Sequence, residues 1–290
     1  RRVLFRSTAE AKLWSLMKQN IEATRKLIQK VGTLDEHLRM VRISSDILPV
    51  YTHEQWVYFW RTEDVQAYAS KAFAEVGRIA RDNGVRISFH PGQFCCLASD
   101  NSGVVDRSLE EFEYHADMAR WMGYGKTFQD MKINVHVSGK LGAAGFRAAY
   151  EKLSDVAKNC ITIENEENTY GLDECLDIAD LCPIVLDVHH HWVKTGEYIS
   201  ADDPRVKKVI DIDRIITQHL QHDAVGIKGL LTPAHRGALT IDTRRDLLHL
   251  ILQHRLNLIQ FSCLHGRARL NQHTMKPLVA VIIVPVRAAA

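Results

Sequence analysis

Imidazole and carboxylate side chains recur in this sequence at the ends of short apolar runs. "ISFH" ends in His90, "INVH" ends in His136 and "ITIEN" contains Glu164. "IVLD" ends in Asp187, and His190 follows it three residues later. Histidine nitrogens and carboxylate oxygens, without thiolates, are ligands that Mn²⁺, Zn²⁺ and Fe²⁺ accept, and they suit catalytic sites better than structural ones. The pattern therefore predicts a metal site with His90, His136, Glu164, Asp187 and His190 as ligands.

The chemistry of such a site depends on shared ligands. A carboxylate such as Glu164 can bridge two ions, and a two-metal site stabilises both the attacking and the leaving oxygen of a phosphoryl displacement. Each residue also has an ordinary alternative. A histidine at a strand end is often only hydrogen-bonded at the rim, Glu164 could belong to a buried ion pair, and Asp187 could cap the next helix. The ordinary alternatives would have to apply independently at four successive strand ends. We therefore favour the metal site.

The stretch "VRISFHPGQFCCLAS" adds a turn directly after the first of these histidines. Pro91 and Gly92 predict a tight turn, which exposes the side chain that follows it. Gln93 at this tip could hydrogen-bond a base edge or fill a gap in a distorted duplex. Phe94 could stack on a base, although a core position is the more common fate of a phenylalanine.

Composition bounds the class of protein. The chain has 290 residues, of which 46% are hydrophobic and 25% charged, and its formal net charge is +2. These values are typical of a soluble globular protein, and a single barrel of roughly 250 residues would fit the length. The small net charge makes no general case for nucleic-acid binding, so contact with a polyanion would require a local patch or bound metal.

Cysteine spacing and hydropathy indicate the compartment. The six cysteines show no CxxC spacing, which favours reduced, buried thiols in a cytosolic protein over a disulfide framework. No signal peptide or apolar run of about 20 residues is present, and the apolar run "PLVAVIIVPV" is broken by Pro285. We therefore expect a cytoplasmic protein without a membrane partner.

The elements that must position the candidate ligands alternate regularly along the chain. Apolar strand-like segments alternate with helical patterns, which is typical of parallel strands covered by helices. Five such strands in succession favour a TIM-type (β/α) barrel over an open sheet, and no GxGxxG or GxxxxGK[ST] motif supports nucleotide binding. The predicted strands lie within 38–50, 85–90, 132–139, 160–167 and 183–192, and the predicted helices are 9–32, 62–84, 106–123, 144–159 and 171–182.

The patterns also predict which side chains of the first helix are buried and how the histidines at 189–191 are oriented. The first helix is predicted to bury one face, made of Leu13, Leu16, Met17, Ile21, Leu27 and Ile28. If "PIVLDVHHHW" is a strand throughout, side chains alternate along it, and at least two of the three histidines at 189–191 point away from any one site.

The two ends of the chain differ from its middle. The segment 1–7, "RRVLFRS", has the character of a translated sequencing adaptor, and we expect it to be a non-native leader. All 35 acidic residues lie before residue 247. We therefore expect 8–211 to be the barrel region and 212–290 to be a divergent tail, frameshifted or chimeric.

Five of these motifs together resemble those of a known family. "RISSDILPV", "SFHPGQF", "NVHVSG", "TIENEE" and "LDVHHHW", in this order and spacing, resemble the UV damage endonuclease family, and they look closest to its phage-type members. The resemblance covers residues 8–211. "RISSD…P" followed by "HPGQ" is specific to that family, whereas the other strand ends would fit any relative of endonuclease IV or xylose isomerase.

The resemblance implies an activity and a cofactor. Members are TIM barrels that hold up to three divalent ions, usually Mn²⁺, with Zn²⁺ or Fe²⁺ as alternatives. They nick double-stranded DNA immediately 5′ to ultraviolet photoproducts, with some action on abasic sites. Carried over to this chain, the resemblance implies metal-ligand roles for the five residues above, catalytic roles for Glu164 and His136, and a lesion-probing role for Gln93 beside Phe94. The match of Asp46 to a site residue is weaker.

The chain also departs from the family pattern. The opening strand with its aromatic probing residue is absent, and no late-barrel ligands or modified lysine are found after residue 211. His235 and His265 do not end strand-like runs, so no role is assigned to them. The sequence therefore allows two alternatives to the function of a monomeric endonuclease. One is a sugar isomerase or epimerase of the xylose isomerase-like type, and the other is an inactive fragment of the endonuclease.

Overall fold

The computed structural model of the chain describes residues 2–211 and 281–282, and a parallel β-sheet forms its centre. The first five strands are parallel and lie in chain order, so that each strand pairs with the one before it. A sixth, two-residue strand pairs antiparallel with the fifth. The strands are β1 (Met40–Arg42), β2 (Arg86–Phe89), β3 (Lys132–His136), β4 (Ile161–Glu164), β5 (Ile184–Asp187) and β6 (Val281–Ile282).

Helices connect the parallel strands, because parallel neighbours need a long crossover connection. Helix α1 packs against α3, α3 against α4, and α4 against α6. The helices are α1 (Arg2–Gly32), α2 (Val57–Trp60), α3 (Glu63–Asp82), α4 (Ser102–Trp121), α5 (Gly142–Tyr150), α6 (Asp155–Cys160), α7 (Leu172–Leu176) and α8 (Val188–Thr195), and a 3₁₀ turn covers Glu36–Leu38. The predicted alternation of strands and helices is therefore confirmed for the described part of the chain.

The ends of α3 follow from local sequence. Thr62 occupies the N-cap, and Glu63 and Asp64 lie in the first turn, where negative charge is favourable. Gly84 has a φ of +62°, a conformation that only glycine adopts without strain, and it ends the helical segment. Both boundaries agree with the prediction from the sequence.

Three predictions about elements were wrong in detail. The helix predicted over 144–159 is divided into α5 and α6, because Ser154 starts a new helix by accepting a hydrogen bond from the backbone N–H of Ala157. The strand predicted over 183–192 ends at Asp187, where α8 begins. Leu27, predicted on the buried face of α1, is 43% exposed, whereas Met17 and Ile28 are fully buried.

The strands present alternate residues to two sides. In β2 and β3 every second side chain is buried against the helices, and Ile133 and Phe89 are completely inaccessible. The intervening residues face the inner side of the sheet. Because His136 is the Cα partner of Glu164, these two residues lie side by side on that inner face.

Close packing between α3 and the end of α4 depends on one glycine. A Cβ added at Gly77 would lie 1.9 Å from the Met122 carbonyl oxygen. No side chain larger than hydrogen fits there, so this helix pair approaches more closely than an alanine would allow.

The loops after the strands are joined around the carboxyl-end edge of the sheet, which we call the mouth. Each loop hydrogen-bonds its neighbour. The bonds run from Ser45 Oγ to the His90 carbonyl (3.1 Å), from Leu141 N to the Ala98 carbonyl (2.9 Å), from Thr169 Oγ1 to the Val137 carbonyl (3.3 Å) and from Lys194 Nζ to the Thr169 carbonyl (2.7 Å). Gly139 makes one approach possible, since its φ is +124° and a Cβ there would lie 2.1 Å from the Ala98 carbonyl carbon.

The remaining sequence-based predictions concern cysteines, membranes and the chain ends. Cys95, Cys96, Cys160, Cys175 and Cys182 are free thiols, as expected, and Cys263 lies outside the described residues. Among the described residues no helix combines the length and apolar character needed to cross a membrane. The predicted leader at 1–7 falls largely within α1, and the predicted tail at 212–290, with Pro285, His235 and His265, lies outside the described residues except for β6. The division of the chain into these three segments stays a prediction.

Candidate metal centre

The first candidate ligand, His90, follows β2 directly and is held by its own turn. Its Nδ1 lies 2.9 Å from the Pro91 carbonyl oxygen. A carbonyl can only accept, so Nδ1 carries the proton and donates it. This tautomer leaves the Nε2 lone pair free, and Nε2 lies 3.4 Å from Glu164 Oε2. The proline turn therefore presents a ligand nitrogen toward the centre of the mouth.

His136 is the last residue of β3 and lies between the other two candidate imidazoles. Its ring centroid is 4.9 Å from that of His90 and 5.2 Å from that of His190. Its Nδ1 is buried and has no hydrogen-bond partner among the described residues. An unpaired buried nitrogen is costly, and it is the condition in which a metal ion would compensate the loss of water.

Glu164 ends β4 and lies at the centre of the cluster. Its Oε2 faces His90, and its Oε1 lies 3.5 Å from His190 Nδ1. Asn134 Nδ2 also donates a hydrogen bond to Oε2. The two oxygens of one carboxylate thus face two different groups of candidate ligands, which is the arrangement predicted for a bridging residue.

Asp187 ends β5 and has two functions at once. Its Oδ1 accepts hydrogen bonds from the backbone N–H groups of His189 (2.7 Å) and His190 (3.0 Å), so it caps α8. Asn165 pairs with its backbone, since the Asp187 N–H donates to Asn165 Oδ1 and Asn165 Nδ2 donates to the Asp187 carbonyl, both at 2.8 Å. The helix-capping alternative for Asp187 is therefore real, and it coexists with a carboxylate Oδ2 that lies 3.9 Å from His190 Nδ1.

His190 reaches the cluster from the first turn of α8 and not from a strand. Its Nδ1 lies 2.9 Å from the Asn165 carbonyl oxygen, and its Nε2 lies 3.5 Å from Glu167 Oε2. The strand predicted over residues 189–191 was therefore wrong, but of the three histidines only His190 belongs to a ligand group, as expected. On a helix, Asp187 and His190 are three residues apart and share a face.

These residues form two overlapping groups. His90, His136 and Glu164 make one group, and Glu164, Asp187 and His190 make the other, with the potential ligand atoms of each group within 4.8 Å of one another. The structure thus brings together all five predicted ligands, and Glu164 belongs to both groups.

The electrostatics favour the ligand forms of the central residues. Burial would raise the pKa of Glu164, but His90, His136 and His190, when they are protonated, outweigh burial through a hydrogen bond and positive charge and hold the pKa below its usual value. Burial lowers the pKa of His136, which keeps its imidazole neutral, although Glu164 opposes this effect. A divalent cation would take the place of the protons on the imidazoles, and it requires an ionised carboxylate beside neutral imidazoles.

The arrangement fits a divalent cation by geometry as well as by donor type. Ligand bonds of about 2.0–2.2 Å place two ligands of one ion roughly 3 to 3.5 Å apart. The contact of Glu164 Oε2 with His90 Nε2 has this length. His190 Nδ1 faces the Asn165 carbonyl oxygen and so carries the proton, which leaves Nε2 as the nitrogen that His190 would offer. The His90 contact and the unpaired His136 Nδ1 support the fit of these residues to a metal ion.

The predicted lesion-probing residues lie beside this cluster in sequence. Gln93 is exposed in the turn after His90, and Phe94 is 84% exposed, so Phe94 is not a core residue. Asp46 lies exposed in the loop after β1, and neither ligand group includes it. The lesion-probing role of Gln93 and Phe94 and the site role of Asp46 stay predictions.

Reasoning from the sequence missed the polar residues that support the ligands. Asn134, Asn165 and Glu167 each contact a predicted ligand, and none was singled out. For Asn134 a signal was available, because it lies two residues before His136 and therefore shares its face of the strand. The pairing of Asn165 with the next strand has no comparable signal in the sequence.

Comparison with known proteins relates this chain to a family of endonucleases. A profile of the family described as UV-endonuclease UvdE matches residues 3–254. A UV DNA damage endonuclease of Bacillus velezensis is 32% identical over 214 residues, covering 71% of this chain and 64% of the relative. The protein of that name from Clostridium perfringens is 29% identical over 198 residues, covering 66% of this chain and 46% of the relative. The chain thus spans about half to two thirds of the length of these relatives.

A solved structure supports the fold. The crystal structure of SacUVDE superposes with a TM-score of 0.58 at 24% identity, covering 71% of this chain and 68% of that chain. This likeness concerns the fold, and it confirms that the described strands and helices are part of a TIM-type barrel. Since the family profile covers most of the sequence, the chain belongs to the UV-endonuclease UvdE family.

Proposed function

We propose that the chain is a metal-dependent endonuclease that cuts DNA immediately 5′ to ultraviolet photoproducts, with some action on abasic sites. Membership of the UvdE family supports the reaction class. One observation carries the proposal for this chain. Five candidate nitrogen and oxygen ligands converge at the mouth, four from successive strand ends and one from the first turn of α8, and one carboxylate, Glu164, faces both halves of the set.

In this proposal the cluster holds divalent ions, with Mn²⁺ as the first choice and up to three ions in all. When bound, the ions supply Lewis acidity, which lowers the pKa of an attacking water and neutralises the leaving 3′-hydroxylate. Glu164 and His136 are the residues proposed to act at the reacting centre. His90 presents Nε2 from its proline turn, and Asp187 keeps its second oxygen for the site while the first one caps α8.

The proposed partner is double-stranded DNA that carries a lesion. Damaged, weakly stacked bases leave the duplex at reduced cost, and Gln93 and Phe94 would occupy the space that they leave. The 84% exposure of Phe94 supports this role, since an exposed aromatic ring is available to stack on a base. We propose that the enzyme acts as a monomer in the cytoplasm of a bacterial or phage-infected cell.

No covalent intermediate is required. Burial raises the pKa of the Cys95 thiol, so this cysteine beside the turn is protonated and is a poor nucleophile. The sugar isomerase alternative has no observation that favours it, and the family assignment points away from it.

The test is strand nicking of an irradiated, end-labelled duplex in the presence of Mn²⁺. Unirradiated duplex and EDTA serve as controls, and Glu164→Gln serves as the matched variant. We expect a cut directly 5′ of the photoproduct that disappears with EDTA and in the variant. A wild-type chain that is folded and binds Mn²⁺ but makes no cut would contradict the proposed activity and favour the inactive-fragment alternative.

A further inference from the structure

Two polar side chains lie one layer beneath the ligand cluster, and neither is one of the candidate ligands. Asn134 precedes His136 by two residues on β3, and Thr162 precedes Glu164 by two residues on β4. Asn134 and Thr162 are Cα partners across the two strands, as His136 and Glu164 are. All four side chains therefore point to the same inner face, with the Asn134–Thr162 pair directly below the ligand pair.

A chain of hydrogen bonds links this lower pair to the bridging carboxylate. Thr162 Oγ1 donates to Asn134 Oδ1 at 3.2 Å, and Asn134 Nδ2 donates to Glu164 Oε2. Thr162 is fully buried, so its hydroxyl has no alternative partner in water. If the Asn134 amide were reversed, its carbonyl oxygen would face the carboxylate, and two acceptors would be opposed. The carboxylate therefore selects the amide orientation, since the Thr162 hydroxyl could also accept from Nδ2. In the selected orientation the hydroxyl donates to Oδ1 and holds the amide in place.

We infer that Asn134, oriented by Thr162, is the positioning residue for the Glu164 carboxylate. The terminal torsion of a glutamate side chain is soft, so covalent geometry alone does not fix the plane of the carboxylate. The N–H of Asn134 fixes this plane, with Oε2 toward His90 and Oε1 toward His190. One carboxylate can then serve both ligand groups. This role rests on the proposed function only in that Glu164 binds metal.

A physical consequence separates this role from ordinary packing. A hydrogen-bond partner outside the ligand set typically contributes 10- to 100-fold in metal affinity, because it pre-orients the ligand. Loss of the Asn134 amide should therefore weaken metal binding even where the fold is retained. Thr162 acts through Asn134, so its loss should have a smaller effect in the same direction, and it should add nothing once the amide is gone.

The experiment measures the dissociation constant of Mn²⁺ alone, without DNA, by calorimetry or by electron paramagnetic resonance of free Mn²⁺. Asn134→Leu removes the amide at similar volume, and Thr162→Val replaces only the hydroxyl. Thr162→Ser keeps the hydroxyl and is the matched control. We expect affinity to fall about 10- to 100-fold in Asn134→Leu, less in Thr162→Val, and within about twofold of wild type in Thr162→Ser.

Several outcomes would overturn the positioning role. Wild-type Mn²⁺ affinity in a folded Asn134→Leu protein is one, and equal losses in Thr162→Val and Thr162→Ser are another. If Asn134→Leu does not fold, the comparison of the two Thr162 variants decides the matter. Additive losses in the Asn134→Leu/Thr162→Val double variant would show that Thr162 acts independently of the amide. A wild-type chain that binds Mn²⁺ but cuts no DNA would overturn the proposed activity and leave this role intact, whereas a chain that binds no Mn²⁺ would overturn both.

Discussion

Glu164 is the residue on which the two ligand groups depend. It is 4% exposed, and its two oxygens face different histidines. Its side chain fills little of the apolar core, so its charge matters more than its volume. A change that removes the charge but keeps the shape should therefore separate metal binding from folding.

We expect Glu164→Gln to lose Mn²⁺ affinity by more than about 100-fold, beyond the effect typical of losing an outer hydrogen-bond partner. Nicking of irradiated DNA should be abolished, while the far-ultraviolet circular dichroism spectrum stays that of wild type. Glu54→Gln, at an exposed loop position, is the control and should change neither quantity. Mn²⁺ binding or nicking at wild-type level in Glu164→Gln would contradict the shared-ligand arrangement.

His115 is a second buried titratable residue, and it lies behind the mouth. It is inaccessible to solvent, its Nδ1 donates to the Glu111 carbonyl at 2.7 Å, and its Nε2 lies 2.9 Å from Ser45 Oγ. Burial lowers the pKa of His115 from 6.5 to about 4. The folded chain thus holds this imidazole neutral where the unfolded chain would protonate it.

The sign of the resulting pH dependence follows from linkage. Because the folded pKa is below the unfolded one, the stabilisation is complete above pH 6.5 and is lost as pH falls toward 4. The full loss amounts to about 3 kcal/mol, with about 2 kcal/mol of it lost by pH 5. Urea unfolding at pH 7 and pH 5 should show a smaller decrease in unfolding free energy for His115→Gln than for wild type. An equal decrease in unfolding free energy for wild type and His115→Gln would contradict the conclusion that the buried His115 causes this pH dependence.

At the scale of elements, the junction of β5 and α8 combines two roles in one side chain. Asp187 caps the helix with one oxygen and turns the other toward the cluster. The helix in turn places His190 over the strand ends. A short strand, a cap and one helical turn thus supply two candidate ligands from four consecutive residues.

Two substitutions at Asp187 should separate these roles. Asparagine keeps an oxygen that can accept from the His189 and His190 N–H groups, whereas alanine does not. We expect Asp187→Asn to unfold at nearly the wild-type urea concentration and Asp187→Ala to lose about 1 kcal/mol or more of unfolding free energy. Both variants should bind Mn²⁺ more weakly, as measured by calorimetry. Equal stability of the two variants would argue that the cap contributes nothing.

The same junction shows what a sequence can and cannot predict. The proximity of the five candidate ligands could be predicted because a polar residue after an apolar run marks a strand end, and parallel strand ends meet at one edge. The helix at 188–195 was missed because "VLDVHHHW" is compatible with a strand until the capping bonds of Asp187 are seen. The position of Asn134 beside the cluster could have been predicted from the side-chain alternation of β3. The hydrogen bonds between Asn165 and Asp187 could not, because they link the ends of two different strands and leave no local pattern in the sequence.

At the scale of the whole molecule, the cluster ties together four neighbouring strands of the sheet. Candidate ligands come from the carboxyl ends of β2, β3, β4 and β5 and from α8, and the segments that follow these strands are hydrogen-bonded to one another. A metal ion held there would be absent from the unfolded chain. Its binding energy would therefore add to the stability of the sheet.

We expect Mn²⁺ to raise the unfolding temperature of the chain. At a free concentration of 100 times the dissociation constant, the stabilisation is about 2.7 kcal/mol. Thermal melts followed by circular dichroism, with Mn²⁺ and with EDTA, give the measurement, and Glu164→Gln provides the control that should not respond. A wild-type melting curve that is the same with and without Mn²⁺ would favour the inactive-fragment alternative.

The in-order pairing of the parallel strands also has a consequence for how the site is made. Every candidate ligand lies between residues 90 and 190, and each strand pairs with the strand that precedes it. The strands that carry the cluster are therefore joined by single crossovers, and no later part of the sheet has to form before they pair. During synthesis the histidines of β2 and β3 would leave the ribosome before Glu164, and the shared carboxylate would join a partly formed sheet. The cluster can thus be completed strand by strand from the amino-terminal side, with α8 delivering the last ligand.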